Sequence, residues 1–187
     1  MPEARIAPLS AEAARAAGAE AGIPAQLTEL NVFRQLLRLP KTARAVSDLL
    51  LSMLFGGPLD DRLRELVIMR IGWSTGSEYE WTQHWPIAQQ RKCTPEELLA
   101  LRERTLPEAF GATERAVLTA TDETLARGAV SEETLAECRE RLGDDAATEL
   151  VMAIGCWRLI SQFARSLAIP LEDGVAPWPP NGEPGGF

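Results

Sequence analysis

The chain has 187 residues, 45% of them hydrophobic and 25% charged, with a formal net charge of −8 at pH 7 and a pI near 4.8. A chain of this length buries a sizeable core as one domain, and its acidity argues against nucleic acid or an anionic membrane as the main partner, since both need a basic face. No apolar run approaches the roughly 20 residues of a membrane span, and the N-terminus "MPEARIAPLSAEAARAAGAEAG" lacks a basic stretch followed by an apolar one, so the cytoplasm is the expected compartment.

The elements read helical from end to end. Residues 11–21 are alanine-rich and carry few large side chains to bury. Leu27, Leu30, Phe33, Leu36 and Leu37 follow at helical spacing, and Pro40 starts a new segment. That segment sets Ala43, Val46, Leu49, Leu50, Met53 and Leu54 on one stripe and stops at Gly56-Gly57-Pro58. "LDDRLRELVIMRIGWSTG" opens with acids suited to a helix N-terminus, leaves little polar face, and ends at Gly76, which predicts a central helix. A fourth segment runs from Ser77 to about Lys92, with Pro86 expected to kink or interrupt it. Thr94, Pro95 and Glu97 make a capped start, and a helix follows Gly111 as far as Gly128. Ser131 repeats the capping logic, and a last long helix closes at Pro170. The tail "LEDGVAPWPPNGEPGGF" is rich in Pro and Gly and is expected to be irregular. No segment alternates with period two, so the expected class is all-α. The expected divisions are an extension over 1–24, a helical domain over 25–170 and a tail over 171–187. The largely apolar 46–55 and 148–163 segments suit either subunit packing or a core. Cys93, Cys138 and Cys156 form no CxxC or zinc spacing and read as reduced thiols packed as small hydrophobes.

The stretch "GSEYEWTQH" holds the chain's only histidine and only tyrosine. Ser77 and Glu80 form an S-x-x-E capping box, which alone would make His84 a bystander one turn along the helix. Glu80 and His84, however, are i, i+4 on one face and can touch. A carboxylate beside an imidazole raises its pKa, one way of tuning it for acid or base work. Trp81 and Trp85 can supply walls that exclude water. Glu65 lies in an otherwise apolar stretch, either paired with Arg62 three residues back or turned inward as a buried carboxylate. One histidine with scattered acids gives no zinc spacing, and His84 with two glutamates is only a weak carboxylate-type site, so no metal and no cofactor are expected.

"RELVIMRIGWSTGSEYEWTQHWPIA" followed by "TPEELLAL" resembles the carboxymuconolactone decarboxylase family and the alkylhydroperoxidase D-like proteins grouped with it, over roughly residues 30–170. The resemblance implies a compact multi-helix bundle that forms homo-oligomers (dimer, trimer or hexamer). The peroxidase branch places a CxxC pair where this chain has Ser77 and Glu80, so thiol chemistry is disfavoured. The decarboxylase branch resembles E-x-E-x-x-x-H, matched by Glu78, Glu80 and His84, while Glu65 looks like the peroxidase branch's proton-relay glutamate. The expected activity is that of a cofactor-independent acid–base enzyme, a lyase or isomerase. It would act by decarboxylation or isomerisation through an enol or dienolate on a small carboxylated or carbonyl substrate. His84 would carry the proton, and Glu80 and Glu65 would orient and tune it. Ser77 and backbone N–H groups would bind an oxyanion or substrate carboxylate, and Trp73, Tyr79, Trp81 and Trp85 would wall the pocket. Glu78 lies off the Glu80–His84 face and has a lesser role. The alternatives are a thiol-dependent alkylhydroperoxidase-like reductase and a non-catalytic binding or assembly module.

Overall fold

The computed structural model describes residues 4–106 and 110–187, so the first three residues of the expected 1–24 extension lie outside the described residues. Ten helices follow one another, with no strand among the described residues: α1 (Ala11–Ala21), α2 (Ala25–Thr28), α3 (Asn31–Leu36), α4 (Pro40–Leu54), α5 (Asp61–Ser74), α6 (Glu78–Gln90), α7 (Pro95–Ala100), α8 (Ala112–Arg127), α9 (Glu132–Leu142) and α10 (Asp144–Leu167). The class is all-α, as the periodicity predicts. None of these helices is long and apolar enough to cross a membrane.

Local chemistry accounts for most boundaries. The Asp60 side chain accepts from the Arg62 and Leu63 N–H groups at 3.0 and 3.1 Å and starts α5. Thr94 and Glu97 form the reciprocal capping box of α7, and Ser131 caps α9 by accepting from Thr134 N–H. Gly76 takes φ +65°, and a Cβ there would come within 2.9 Å of the Gly185 carbonyl oxygen, so the α5–α6 turn requires glycine.

Three sequence expectations need correction. The single stripe expected over 27–37 divides at Glu29–Leu30 into α2 and α3. Asn31 N–H donates to Glu172 Oε1 at 2.8 Å, and its side-chain amide donates to the Pro170 and Leu171 carbonyls, which ties the start of α3 to the C-terminal segment. Pro86 does not interrupt α6, which runs on to Gln90 with Trp81, Trp85 and Ala88 of the same helix sunk in the core. The Ser77–Glu80 capping box does not form: Ser77 is the N-cap residue, but its hydroxyl caps nothing. The Glu80 side chain turns inward toward His84 instead.

Buried on every side, α5 is the axis of the molecule, packed against α6, α8 and α10. Its charges are absorbed internally. Arg70 holds Asp122 with two bonds of 2.7 Å and donates to the carbonyls of Leu101 and Glu103 at 2.6 Å. One apolar core surrounds α5, and a second gathers Ala14, Phe33, Leu37, Ala43, Ile160 and Ala164 from α1, α3, α4 and the end of α10. The tail is irregular as expected, yet Trp178 is buried and its N–H donates to Thr82 Oγ1 at 3.0 Å. Trp81 Nε1 donates to the Pro179 carbonyl at 2.7 Å, so tail and α6 are tied twice.

Candidate active site

The seam between the two cores contains a chamber of about 280 Å³. The antiparallel crossing of α5 and α6 sets its ionisable floor. Gly72 makes that crossing close, because a Cβ there would meet the Trp81 backbone nitrogen at 3.0 Å. Seven residues before Gly72, and therefore on the same face of α5, Glu65 reaches α6 with only 1% of its surface exposed. The His84 Nδ1–H donates to Glu65 Oε2 at 2.9 Å. On the other side of the ring, Glu80 Oε2 stands 3.9 Å from Nε2. The inward orientation of Glu65 is thus the correct one of the two sequence readings. Arg62 pairs instead with Glu97 and, at 2.9 Å, with Glu114.

Burial dominates the electrostatics. It pushes Glu80 up to about 7, with the Glu65 carboxylate adding to the rise and His84 opposing it. For His84, burial disfavours the cation, but the Glu65 carboxylate in hydrogen-bond contact, with Glu80 behind it, outweighs that and raises the imidazole pKa. The Glu80 side chain makes no hydrogen bond among the described residues, and Glu65 Oε1 is likewise unpartnered. The site therefore holds one engaged carboxylate, one imidazole biased toward its cation and one free carboxyl poised near neutrality. The two glutamates face opposite ring nitrogens, so their oxygens and an imidazole lone pair do not converge on one point. No group of three His, Cys, Asp or Glu side chains suited to a metal ion occurs among the described residues.

Of the residues singled out by sequence, the structure brings Glu65, Tyr79, Glu80 and His84 to this chamber. Ser77 lies elsewhere, in a cleft of about 250 Å³ at the start of α6 lined also by Ala164, Arg165 and Trp178. Its side chain is fully buried and its hydroxyl has no partner. Glu78 lines that same cleft, off the Glu80–His84 face. Trp73, Trp81 and Trp85 form a tilted aromatic cluster away from the chamber, with ring centroids 5.1 Å apart for Trp73–Trp81 and 5.6 Å for Trp81–Trp85. The Arg102 guanidinium lies 4.4 Å from the Trp73 ring. None of these three tryptophans is among the residues lining the chamber. Trp81 and Trp85 fall on the face of α6 turned toward the first core, where Trp73 of α5 meets Trp81, whereas Glu80 and His84 face the second core.

Within the span 40–123 the chain matches the carboxymuconolactone decarboxylase family. Likeness of fold extends over nearly the whole chain. An uncharacterized peroxidase-related protein with an alkylhydroperoxidase AhpD core from Ralstonia eutropha JMP134 superposes with a TM-score of 0.70 at 20% identity, covering 92% of this chain and 94% of that one. A peroxidase-related protein from Silicibacter sp. TM1040 gives 0.67 at 14% identity over 91% and 90%. A Cys-to-Ala variant of the debrominase Bmp8, in complex with 2,3,4-tribromopyrrole, gives 0.67 at 16% identity over 90% and 91%. At these identities the likeness is one of fold. No curated protein sequence matches.

The matched span 40–123 contains Glu65, Glu80 and His84, while much of the chamber's apolar wall comes from outside it. Leu30 and Phe33 precede the segment, and Trp157 and Ile160 of α10 come after it. The His84 and Trp157 rings meet edge-on, 6.3 Å between centroids. Sequence reading missed this wall because apolar helix stripes carry no mark of which cavity they border. It also missed Glu172, whose Oε1 accepts from Tyr79 Oη–H at 2.6 Å and whose Oε2 accepts from the Gln83 amide. The tail thereby braces two lining residues of the site. Burial and the neighbouring Glu172 carboxylate together push the Tyr79 phenol far above its ordinary pKa, which leaves it a neutral donor.

Proposed function

We propose that the chain is a cofactor-independent acid–base enzyme that moves a proton on a small carbonyl compound, by decarboxylation or isomerisation through an enol. The observation that carries this reading is the convergence of Glu65, His84 and Glu80 on one apolar chamber, with His84 gripped at Nδ1 and Glu80 left unbonded beside Nε2. In isomerisation Glu80, poised near neutrality, accepts a proton from one substrate carbon and returns it to another; in decarboxylation the C–C bond breaks as CO2 leaves, and the protonated Glu80 supplies the proton to the carbon left behind. The His84 cation, stabilised by Glu65, donates from Nε2–H to the oxygen on which negative charge develops. Glu65 is a positioning residue, since its bonded oxygen addresses the imidazole rather than the substrate. The ligand of the debrominase, a small ring, is of a size compatible with a chamber of this volume.

The thiol-dependent reading has less support. Burial pushes the Cys93 thiol up to about 12 and those of Cys138 and Cys156 to about 11, so none is disposed to form a thiolate at neutral pH. Homo-oligomer formation is part of the proposal and is supported by Val151, Met152 and Leu159, large apolar side chains left exposed along α10.

The test is proton exchange of a neutral carbon acid, 2-tetralone, monitored by NMR in D2O with the purified protein. We expect catalysed exchange at the α-carbon. Glu80→Gln and His84→Ala are each expected to lower the rate by about 100-fold or more, the usual weight of one acid–base group, with helical content unchanged. Equal exchange with and without both substitutions would remove the acid–base reading.

A further inference from the structure

The start of α6 concentrates hydrogen-bond donors that the chain itself does not use. Ser77 precedes this 13-residue helix but caps none of it, and the N–H groups of Glu78, Tyr79 and Glu80 donate to nothing among the described residues. The Ser77 hydroxyl is a further free donor: the side chain is fully buried and its oxygen has no partner. Donors left unmatched away from water are costly, so such a group favours an acceptor brought by a ligand. Ser77, Glu78 and Tyr79 all line the cleft of about 250 Å³ between α6 and the end of α10. Arg165 lines it as well and pairs with no carboxylate among the described residues. The rest of the wall is largely apolar, with Ala164, Ile169, Pro170 and Trp178.

We propose that this cleft is a second binding site, separate from the chamber, for a small monocarboxylate with an apolar body. The carboxylate accepts from the Glu78 and Tyr79 N–H groups and from the Ser77 hydroxyl, Arg165 adds its charge at the rim, and the body lies against Ile169 and Trp178. The same chain builds this arrangement from its own residues at α5, where the Asp60 carboxylate accepts from the Arg62 and Leu63 N–H groups. Glu78 is the one carboxylate among the lining residues. Set against Arg165 and the positive end of the helix dipole, it favours a ligand of one negative charge over a dianion such as phosphate. Size agrees: an apolar cavity of roughly 150 Å³ holds benzene, so about 250 Å³ takes one ring with its carboxylate. Neither Glu80 nor His84 lines the cleft, and Tyr79 alone lines both cavities, so its side chain is the partition between them.

The test is an amide NMR titration of the full chain at pH 8 with benzoate, benzyl alcohol and inorganic phosphate. We expect saturable benzoate binding, with the largest shifts at the Glu78 and Tyr79 amides and an affinity about tenfold or more above that of either other probe. Ser77→Ala, which removes one donor and adds no volume, is expected to weaken benzoate about three- to tenfold. Arg165→Gln, at an exposed position, is expected to weaken it about threefold. 2-Tetralone should not displace benzoate. The proposal is overturned by an absence of saturable binding, by largest shifts around Glu65 and His84, by equal affinity for benzyl alcohol or phosphate, or by unchanged affinity in both variants. Should Ser77→Ala not fold, the shift pattern and Arg165→Gln decide. Competition between benzoate and 2-tetralone would place benzoate in the chamber and remove the second site, while leaving the acid–base reading to its own exchange test.

Discussion

Glu65 and His84 stand nineteen residues apart in sequence and are joined by a 2.9 Å hydrogen bond across the α5–α6 crossing. The bond occupies the imidazole nitrogen remote from Glu80, so it orients the ring and directs Nε2 toward the other carboxylate. It also offsets the burial that would otherwise strip His84 of its proton.

Replacing Glu65 by Gln keeps the shape and removes that charge, so the His84 pKa is expected to fall below its wild-type value as burial prevails. His84 is the only histidine, which makes its ring resonances unambiguous in a two-dimensional NMR titration. The turnover number for exchange should drop about 10- to 100-fold while the KM for 2-tetralone changes little, a division expected of a residue that positions another. An unaltered His84 titration in Glu65→Gln would contradict this role.

Stability should fall as pH rises, and Glu80 should be a principal cause. Its carboxyl is held up to about 7 in the folded chain against an ordinary value of 4.5. Between those values the folded state keeps a proton that the unfolded state has released, so stability declines across this window and levels off above it. The raised His84 pKa acts in the same direction: its contribution is present below 6.5 and is lost as pH passes the folded value. At about 1.4 kcal/mol per tenfold change, Glu80 contributes at most about 3 kcal/mol. Urea denaturation of the wild type and Glu80→Gln from pH 5 to 8.5 checks this; the variant should show a visibly flatter profile. Parallel profiles would mean that Glu80 titrates normally.

Glu172 carries three bonds on one side chain, from Tyr79, Asn31 and Gln83. Glu172→Ala leaves the Tyr79 O–H and the Asn31 N–H without acceptors in largely buried positions, while the Tyr79 oxygen still accepts from Val32 N–H. The expected cost is about 2–4 kcal/mol in denaturant unfolding. Exchange activity should fall as well, although Glu172 is not itself among the lining residues, because Tyr79 and Gln83 form part of the chamber wall. Glu172→Gln, which retains an acceptor, should recover part of both. Wild-type stability in Glu172→Ala would show that the tail does not brace the site.

How much of this was legible in the sequence divides along physical lines. Helix positions were readable because caps and apolar periodicity are local: Pro40, Thr94, Ser131 and the αL glycine Gly128 mark ends wherever the chain goes. The Glu80–His84 pairing came from i, i+4 geometry, a property of one helix. Glu65 stayed ambiguous between Arg62 and an inward orientation, because only the α5–α6 crossing at Gly72 selects between them. The Ser77–Glu80 box misled for a related reason: burial next to His84 holds Glu80 against the local capping preference. Trp73, Trp81 and Trp85 could not be separated from Tyr79 and Trp157 by composition, since which core an aromatic faces depends on packing. The ordering of a Pro/Gly-rich tail by Glu172 and Trp178 had no local signal at all.

The thiols supply the last prediction. Cys93, Cys138 and Cys156 are all buried, and burial raises each thiol's pKa. The arginine nearest Cys93 in charge, Arg62, is held by Glu97 and Glu114, and the Cys93 sulfur contacts the Arg62 carbonyl at 3.7 Å. A thiolate needs cationic help and exposure, and neither is offered here. An aromatic disulfide reagent should therefore label none of the three in the native protein on the timescale on which all three react in denaturant. Cys93→Ala should retain exchange activity within about threefold while losing about 1–3 kcal/mol of stability to the vacated volume, in line with other buried truncations. Rapid native labelling of one cysteine, with loss of activity in step, would restore thiol chemistry to this fold and displace the acid–base assignment.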